Sequence, residues 1–286
     1  ASSTPFFRVA ADGAQPWLAE DRPRRAGISA FGFGGTNAHA VLEEHRAFGE
    51  TLPGARRWPA HVVAVTGRTT EDLSRNWAMV RDLAALPKGG PTLEDIAGAA
   101  MAQCDGEAGL RSVIVAESTA DLSAQAARMI AHLADPAQTL PDSAMLGGTG
   151  PVPPLAFLFP GQGSQRANMC REAAVYLPEM RDSLEVAQAA ALAGTGERIG
   201  RILYPPAAFD AEAKAAQAAR LTRPQNAQIA LGAVSAGLVD LLRRIGLAPD
   251  MVAGHSYGEL VALYAAGAMG RAALMQLSVA RGSAME

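Results

Sequence analysis

Gly254-His255-Ser256-Tyr257-Gly258 fits the pattern G-x-S-x-G. In that pattern a serine sits on a strained turn between a strand and a helix, with its hydroxyl projected outward. The two glycines are needed because side chains there would clash across the turn. The helix that follows begins with unpaired N–H groups and a partial positive charge, and both suit a developing oxyanion. A serine hydroxyl is a poor nucleophile until a base takes its proton. The chain has five histidines, His39, His45, His61, His132 and His255. His255 adjoins the serine on a strand, where neighbouring side chains point to opposite faces, so it is badly placed as the base. The other four lie well upstream. In hydrolase-type α/β folds the histidine follows the serine, and here 286 − 256 = 30 residues follow it. The expectation is that the base lies beyond Glu286. A chance glycine-serine turn would give the same five letters, so the flanking elements must decide.

Those elements fit. Met251–Ala253 reads as a short strand, and ELVALYAAGAM (259–269) as a proline-free helix. LAFLFPGQGSQ (155–165) reads as a buried strand entering a glycine turn. Helices are predicted over about 166–193, 225–245 and 271–286. Upstream, HVVAVTG (61–67) and SVIVAES (112–118) are strand-like, with helices predicted from Thr70 to about Leu86, from Thr92, and over 121–133. Pro, Gly and small polar residues at 135–154 mark a boundary. Nearer the start, ISAF (28–31) and AHAVLEE (38–44) read as strands joined by GFGGTN. That glycine turn lacks the G-K-[ST] of a phosphate loop, and Asn37 stands where G-x-G-x-x-G needs glycine.

Composition narrows the classes. The chain has 286 residues, 49% hydrophobic and 19% charged, with net charge −3. No basic stripe with interleaved aromatics occurs, which argues against a nucleic-acid partner. The two cysteines, Cys104 and Cys170, form neither a disulfide framework nor a metal-ligand spacing. A reducing, cytoplasmic setting is the simple reading. The longest apolar run, LVALYAAGAM (260–269), is too short to span a bilayer, so no membrane is expected.

FLFPGQGSQ (157–165), GHSYGE (254–259) and ARG (280–282), in this order, resemble the malonyl-CoA:acyl-carrier-protein acyltransferases. The resemblance implies that Ser256 is the catalytic nucleophile and that the backbone N–H groups of Gln162 and Tyr257 form the oxyanion hole. Two preorganised amides at the attacked thioester are worth several kcal/mol. It implies that Arg281, 281 − 256 = 25 residues after the serine, binds the free malonyl carboxylate, for which its planar fork is suited. Gln228, in RPQNAQIA, matches a family glutamine whose following proline is Ile229 here. Gln228 and His255 are taken as substrate-binding.

RRAGISAFGFGGTNAHAVLEEH (24–45) resembles the C-terminal end of a β-ketoacyl synthase domain, with Phe33 at the position of a gating phenylalanine. The catalytic cysteine and histidines of such a synthase are absent, and His39 reads as structural. The order resembles type I polyketide synthases, in detail the iterative enediyne and polyunsaturated-fatty-acid synthases. The implied organisation is a ketosynthase tail over 1–46, a linker over 47–150 and the N-terminal part of an acyltransferase domain over 151–286. The fold class expected is α/β, a small α/β linker followed by the first part of an α/β-hydrolase-like acyltransferase.

The implied activity is transfer of malonyl from malonyl-CoA through an acyl-Ser256 ester to the phosphopantetheine thiol of an acyl carrier protein. No cofactor or metal is expected on the chain itself. Its partners would be the carrier protein and the remaining ketosynthase and acyltransferase segments, in a dimer formed through the ketosynthase. A catalytically inert linker or scaffold and a serine esterase are the alternatives. GQGSQ and Arg281 argue against the esterase.

Overall fold

The computed structural model describes residues 14–19, 23–45, 58–87, 89–148 and 153–286. It is a mixed α/β structure that divides into two compact units. One is Gly54–Pro153, and the other combines Ala1–Pro53 with Pro154–Glu286.

In the latter unit β1 (Arg25–Phe31) and β2 (Asn37–Glu43) form an antiparallel hairpin. The strands are exposed along nearly their whole length, including Ile28, Phe31, Val41 and Leu42. The open end of the ribbon is held by Arg24 on Glu44 and by Arg25 on Glu43 at 2.5 Å.

The Gly54–Pro153 unit has the order β3 (His61–Gly67), α1 (Thr70–Ala84), α2 (Leu93–Ala102), β4 (Leu110–Ala116), α3 (Thr119–Ala134) and β5 (Ala144–Gly148). The strands form one antiparallel sheet with β4 central. Alternation puts Val63 and Val65 of β3 and Ile114 and Ala116 of β4 into a core with Leu73, Trp77, Leu122 and Met129. The helix starts are written in the sequence: Thr69, Thr92 and Ser118 each accept an amide three residues on, and Thr92 with Asp95 completes a capping box. Trp77 donates its buried indole N–H to Ser112 Oγ at 2.7 Å. The 135–154 stretch, predicted only as a boundary, contributes β5 as a third strand. AMLGG carries too little β-branched character to signal it.

In the remainder of the other unit come β6 (Ala156–Phe159), α4 (Arg171–Tyr176), α5 (Pro178–Thr195), α6 (Ile199–Leu203), α7 (Ala211–Thr222), α8 (Pro224–Arg244), β7 (Met251–Gly254), α9 (Gly258–Ala265) and α10 (Arg271–Ser283). The helix predicted over 166–193 is corrected. Residues 166–170 are a turn, and the rest is two helices parted at Leu177, whose extended backbone is what a following proline favours. α6 and α7 were not foreseen; α7 is an Ala-rich helix with Leu221 its only buried residue, so it shows little apolar period. The core gathers Met180 and Leu184 of α5, Ile199 and Leu203 of α6, Ile229 and Ala233 of α8, and Leu274 and Met275 of α10. Leu18, far upstream, is buried in the same core. β6 and β7 pair in parallel, Ala156 opposite Met251 and Phe159 opposite Gly254. That pairing places the GQGSQ turn beside the GHSYG turn.

Candidate active site

Ser256 has φ +55°, one of three non-glycine residues with positive φ among those described. A left-handed L-residue is costly, and it persists only where the surroundings enforce it. Two hydrogen bonds and two close approaches enforce it here. The His255 N–H donates to the Phe159 carbonyl (3.0 Å), and the Gly258 N–H donates back to the His255 carbonyl (2.9 Å). A Cβ on Gly254 would lie 2.1 Å from the Gly258 carbonyl carbon, and one on Gly258 would lie 2.1 Å from the Phe159 oxygen. The strand, turn and helix therefore cross at a distance that only glycine permits.

Ser256 and His255 are exposed. Ser256 Oγ has no hydrogen-bond partner among the described residues, so no described histidine is in place as its base. His255 faces the GQGSQ turn: a Cβ on Gly161 would sit 2.8 Å from its Nδ1 and 3.2 Å from Ser256 Cβ. His39 lies on the hairpin, its Nδ1 2.8 Å from Ser29 Oγ.

Of the predicted oxyanion donors, Tyr257 follows the serine directly and Gln162 follows Gly161, which lies against it. Neither the Gln162 nor the Tyr257 backbone N–H is used within the protein among the described residues. The Tyr257 amide opens α9, where unpaired N–H groups are expected. The Tyr257 side chain is fully buried, its Oη 2.6 Å from Ser278 Oγ, which also donates to the Leu274 carbonyl at 2.6 Å. Burial pushes this phenol well above its ordinary range, and Ser278 and Arg281 oppose that only in part. Sequence reasoning missed this anchor. Its one trace was Gly232, a glycine in the middle of α8, where a Cβ would lie 2.1 Å from Tyr257 Oη.

Gln228 of α8 is fully buried. Its Nε2 reaches Gln162 Oε1 at 3.4 Å and Met285 Sδ at 3.1 Å, while its Oε1 has no partner. Arg281, on the last turn of α10, has a buried Nη1 that is likewise unpartnered. An unpaired buried donor is expensive unless something outside the chain satisfies it. Thus Gly161 of the GQGSQ turn lies against His255 and Ser256, Gln228 reaches its neighbour Gln162, and the Arg281 charge works against the rise of the Tyr257 phenol. Among the described residues no cluster of side chains could hold a metal, and no helix is long and apolar enough to cross a membrane.

A left-handed serine between a parallel strand and a helix, with free amides on both sides, defines an α/β protein of the nucleophile-elbow class. The family model for the acyl transferase domain matches residues 156–286, and that for the ketoacyl-synthetase C-terminal extension matches residues 10–104. The phenolphthiocerol synthesis polyketide synthase type I Pks15/1 of Mycobacterium marinum is 34% identical over 280 residues, 96% of this chain and 12% of that protein. A polyunsaturated fatty acid synthase chain of a Thraustochytrium species is 30% identical over 297 residues, 95% of this chain and 10% of that protein. The solved acyl transferase domain of ZmaA superposes with TM-score 0.65 at 22% identity, over 81% of this chain and 50% of that one, a likeness of fold. The chain belongs to the type I polyketide synthases and carries a ketoacyl-synthetase extension leading into an acyl transferase domain. It spans about a tenth of the length of these curated relatives.

Proposed function

We propose that Ser256 accepts a malonyl group from malonyl-CoA and passes it to the phosphopantetheine thiol of an acyl carrier protein. Ser256 Oγ attacks the thioester carbon, its proton goes to a base supplied by another segment, and the CoA thiol leaves with a proton. The carrier thiol then attacks the ester and the serine is reprotonated. The Gln162 and Tyr257 amides take the oxyanion at each attack. His255 lines the approach, and Gln228 holds Gln162 in place.

The observation that carries this reading is the buried, unpartnered Nη1 of Arg281. A carboxylate on the acyl group would satisfy it with a charge-assisted hydrogen bond, whereas an acetyl group or a simple ester would leave it unpaired. An esterase has no use for such an arginine.

Intact mass spectrometry tests the reading, with free imidazole present as a surrogate base. Malonyl-CoA is expected to give an adduct that Ser256→Ala abolishes, and acetyl-CoA to give much less. Arg281→Ala should lower the malonyl adduct by about tenfold or more and spare the acetyl one. No Ser256-dependent adduct with either thioester would sink the transferase reading. Equal adducts from both in the wild type would remove the role of Arg281.

A further inference from the structure

Away from the serine turn, a cleft of about 820 Å³ opens between residues 165–171 and the 205–209 loop, with α7 along one side. Its charged lining residues are Arg166, Arg171 and Lys214, with no carboxylate among the lining residues. In a chain of net charge −3 this is a local inversion of sign. None of the three has an ion-pair or side-chain hydrogen-bond partner among the described residues. Elsewhere in the same unit Arg24, Arg220, Arg244 and Arg271 each hold a carboxylate. Unpaired cations gathered in a concavity are an anion site rather than a solvated face.

The walls are fixed in place. The Asn168 N–H donates to the Leu203 carbonyl at 2.7 Å, and Tyr204 Oη to the Met169 carbonyl at 3.3 Å. Gln217 Nε2 donates to the Pro206 carbonyl at 2.8 Å, and the Asp210 side chain caps α7. Asn168 and Cys170 both have left-handed backbones, φ +64° and +51°, in the turn that carries the two arginines. Such strain is kept where a turn must present its groups in one arrangement. At the rim Phe209 is 65% exposed, an aromatic face open to stacking. The cleft also adjoins the serine site in sequence. Gln165 lines it and accepts the Gly163 N–H at 2.8 Å, within the turn that carries Gln162. Three residues of chain reach at most about 10 Å.

We propose that this cleft binds the phosphate groups and the base of the nucleotide end of the CoA acyl donor. The proposal rests on the reading of Ser256 as acceptor from a CoA thioester. Its chemistry is recognition of several phosphates by Arg166, Arg171 and Lys214, with Phe209 against the adenine. A carrier protein's phosphopantetheine offers one phosphodiester and no base, so it uses less of what the cleft presents.

The test is calorimetric titration of the whole chain with adenosine 3′,5′-bisphosphate, which has the phosphates and base but no thioester. Saturable binding is expected, weakened by salt and unchanged by Ser256→Ala. Arg171→Glu and Lys214→Glu should each weaken it by about tenfold or more, and Phe209→Ala by less. A companion measurement compares acylation by malonyl-CoA with acylation by malonyl-N-acetylcysteamine, which has no phosphate. The charge variants should slow only the first. No binding at millimolar bisphosphate, or equal binding by the charge variants, overturns the proposal. So does a phosphopantetheinylated carrier protein that needs the three cations when the bisphosphate does not bind. If neither thioester acylates Ser256 while bisphosphate binding still needs the cations, the transferase reading falls and a nucleotide-phosphate cleft stands on its own.

Discussion

At Ser256 the proposed reactivity is set against stability. A non-glycine residue in the left-handed region costs about 1–2 kcal/mol, and glycine gives back about 0.5–1 kcal/mol of that in chain entropy. Ser256→Gly is therefore expected to raise the unfolding free energy by about 1 kcal/mol or slightly less, and to abolish the acyl adduct. Ser256→Ala keeps the strain and removes a hydroxyl with no internal partner, so its stability should stay near wild type. Urea denaturation of the two variants checks both. Destabilisation of the glycine variant would show that the turn is not strained. The turn at Ser256 was legible in the sequence because glycine is required on both sides of it, and two letters at fixed spacing record that. The Ser278 anchor was not legible, since a serine on a helix face signals nothing until the fold places it 2.6 Å from a buried phenol.

At the scale of elements, α8, α9 and α10 meet around that phenol. Gly232 of α8 leaves room for Tyr257 Oη, and Ser278 of α10 satisfies it. Gly232→Ala alone should be strongly destabilising, by about 3 kcal/mol. In a Tyr257→Phe background the closest approach of the ring to the new methyl is Cζ at 3.4 Å, so much of that cost should vanish. A double-mutant cycle read by denaturant unfolding is expected to show a favourable coupling of about 1 kcal/mol or more. Additive effects would mean that α8 moves aside freely. Ser278 Oγ, 3.2 Å from the same methyl position, limits that movement. Helix existence was read correctly where polar caps or a long apolar face announce it, as at Thr92 and in α8. The start and continuity of the helix predicted over 166–193 were misread, since an alanine-rich stretch runs evenly through Leu177 and only Pro178 signals the division. The cleft basics were invisible for a similar reason: Arg166 and Arg171 bracket one turn while Lys214 lies on α7, and only the tertiary fold gathers them.

At the scale of the whole molecule the two units keep separate cores. Each closes around its own apolar cluster, so unfolding is expected to depart from two-state behaviour. Trp77, fully buried against Ser112, reports on the Gly54–Pro153 unit, while Trp17 and Trp58 are exposed. Denaturation followed by tryptophan fluorescence and by far-ultraviolet circular dichroism should give midpoints that do not coincide. Superimposable curves would mean that the units unfold as one.

The parallel pairing of β6 with β7 has a consequence for synthesis. Ala156 finds its partner Met251 only 251 − 156 = 95 residues later. At about 5–20 residues per second on the ribosome, the apolar stretch Ala156–Phe159 waits about 5–20 s for its neighbouring strand. During that wait Phe157, Leu158 and Phe159 have no β7 to lie against. The Ser256 turn is thus one of the last parts of this unit to take shape, and the first strand beneath it is a ready target for a chaperone in the interval.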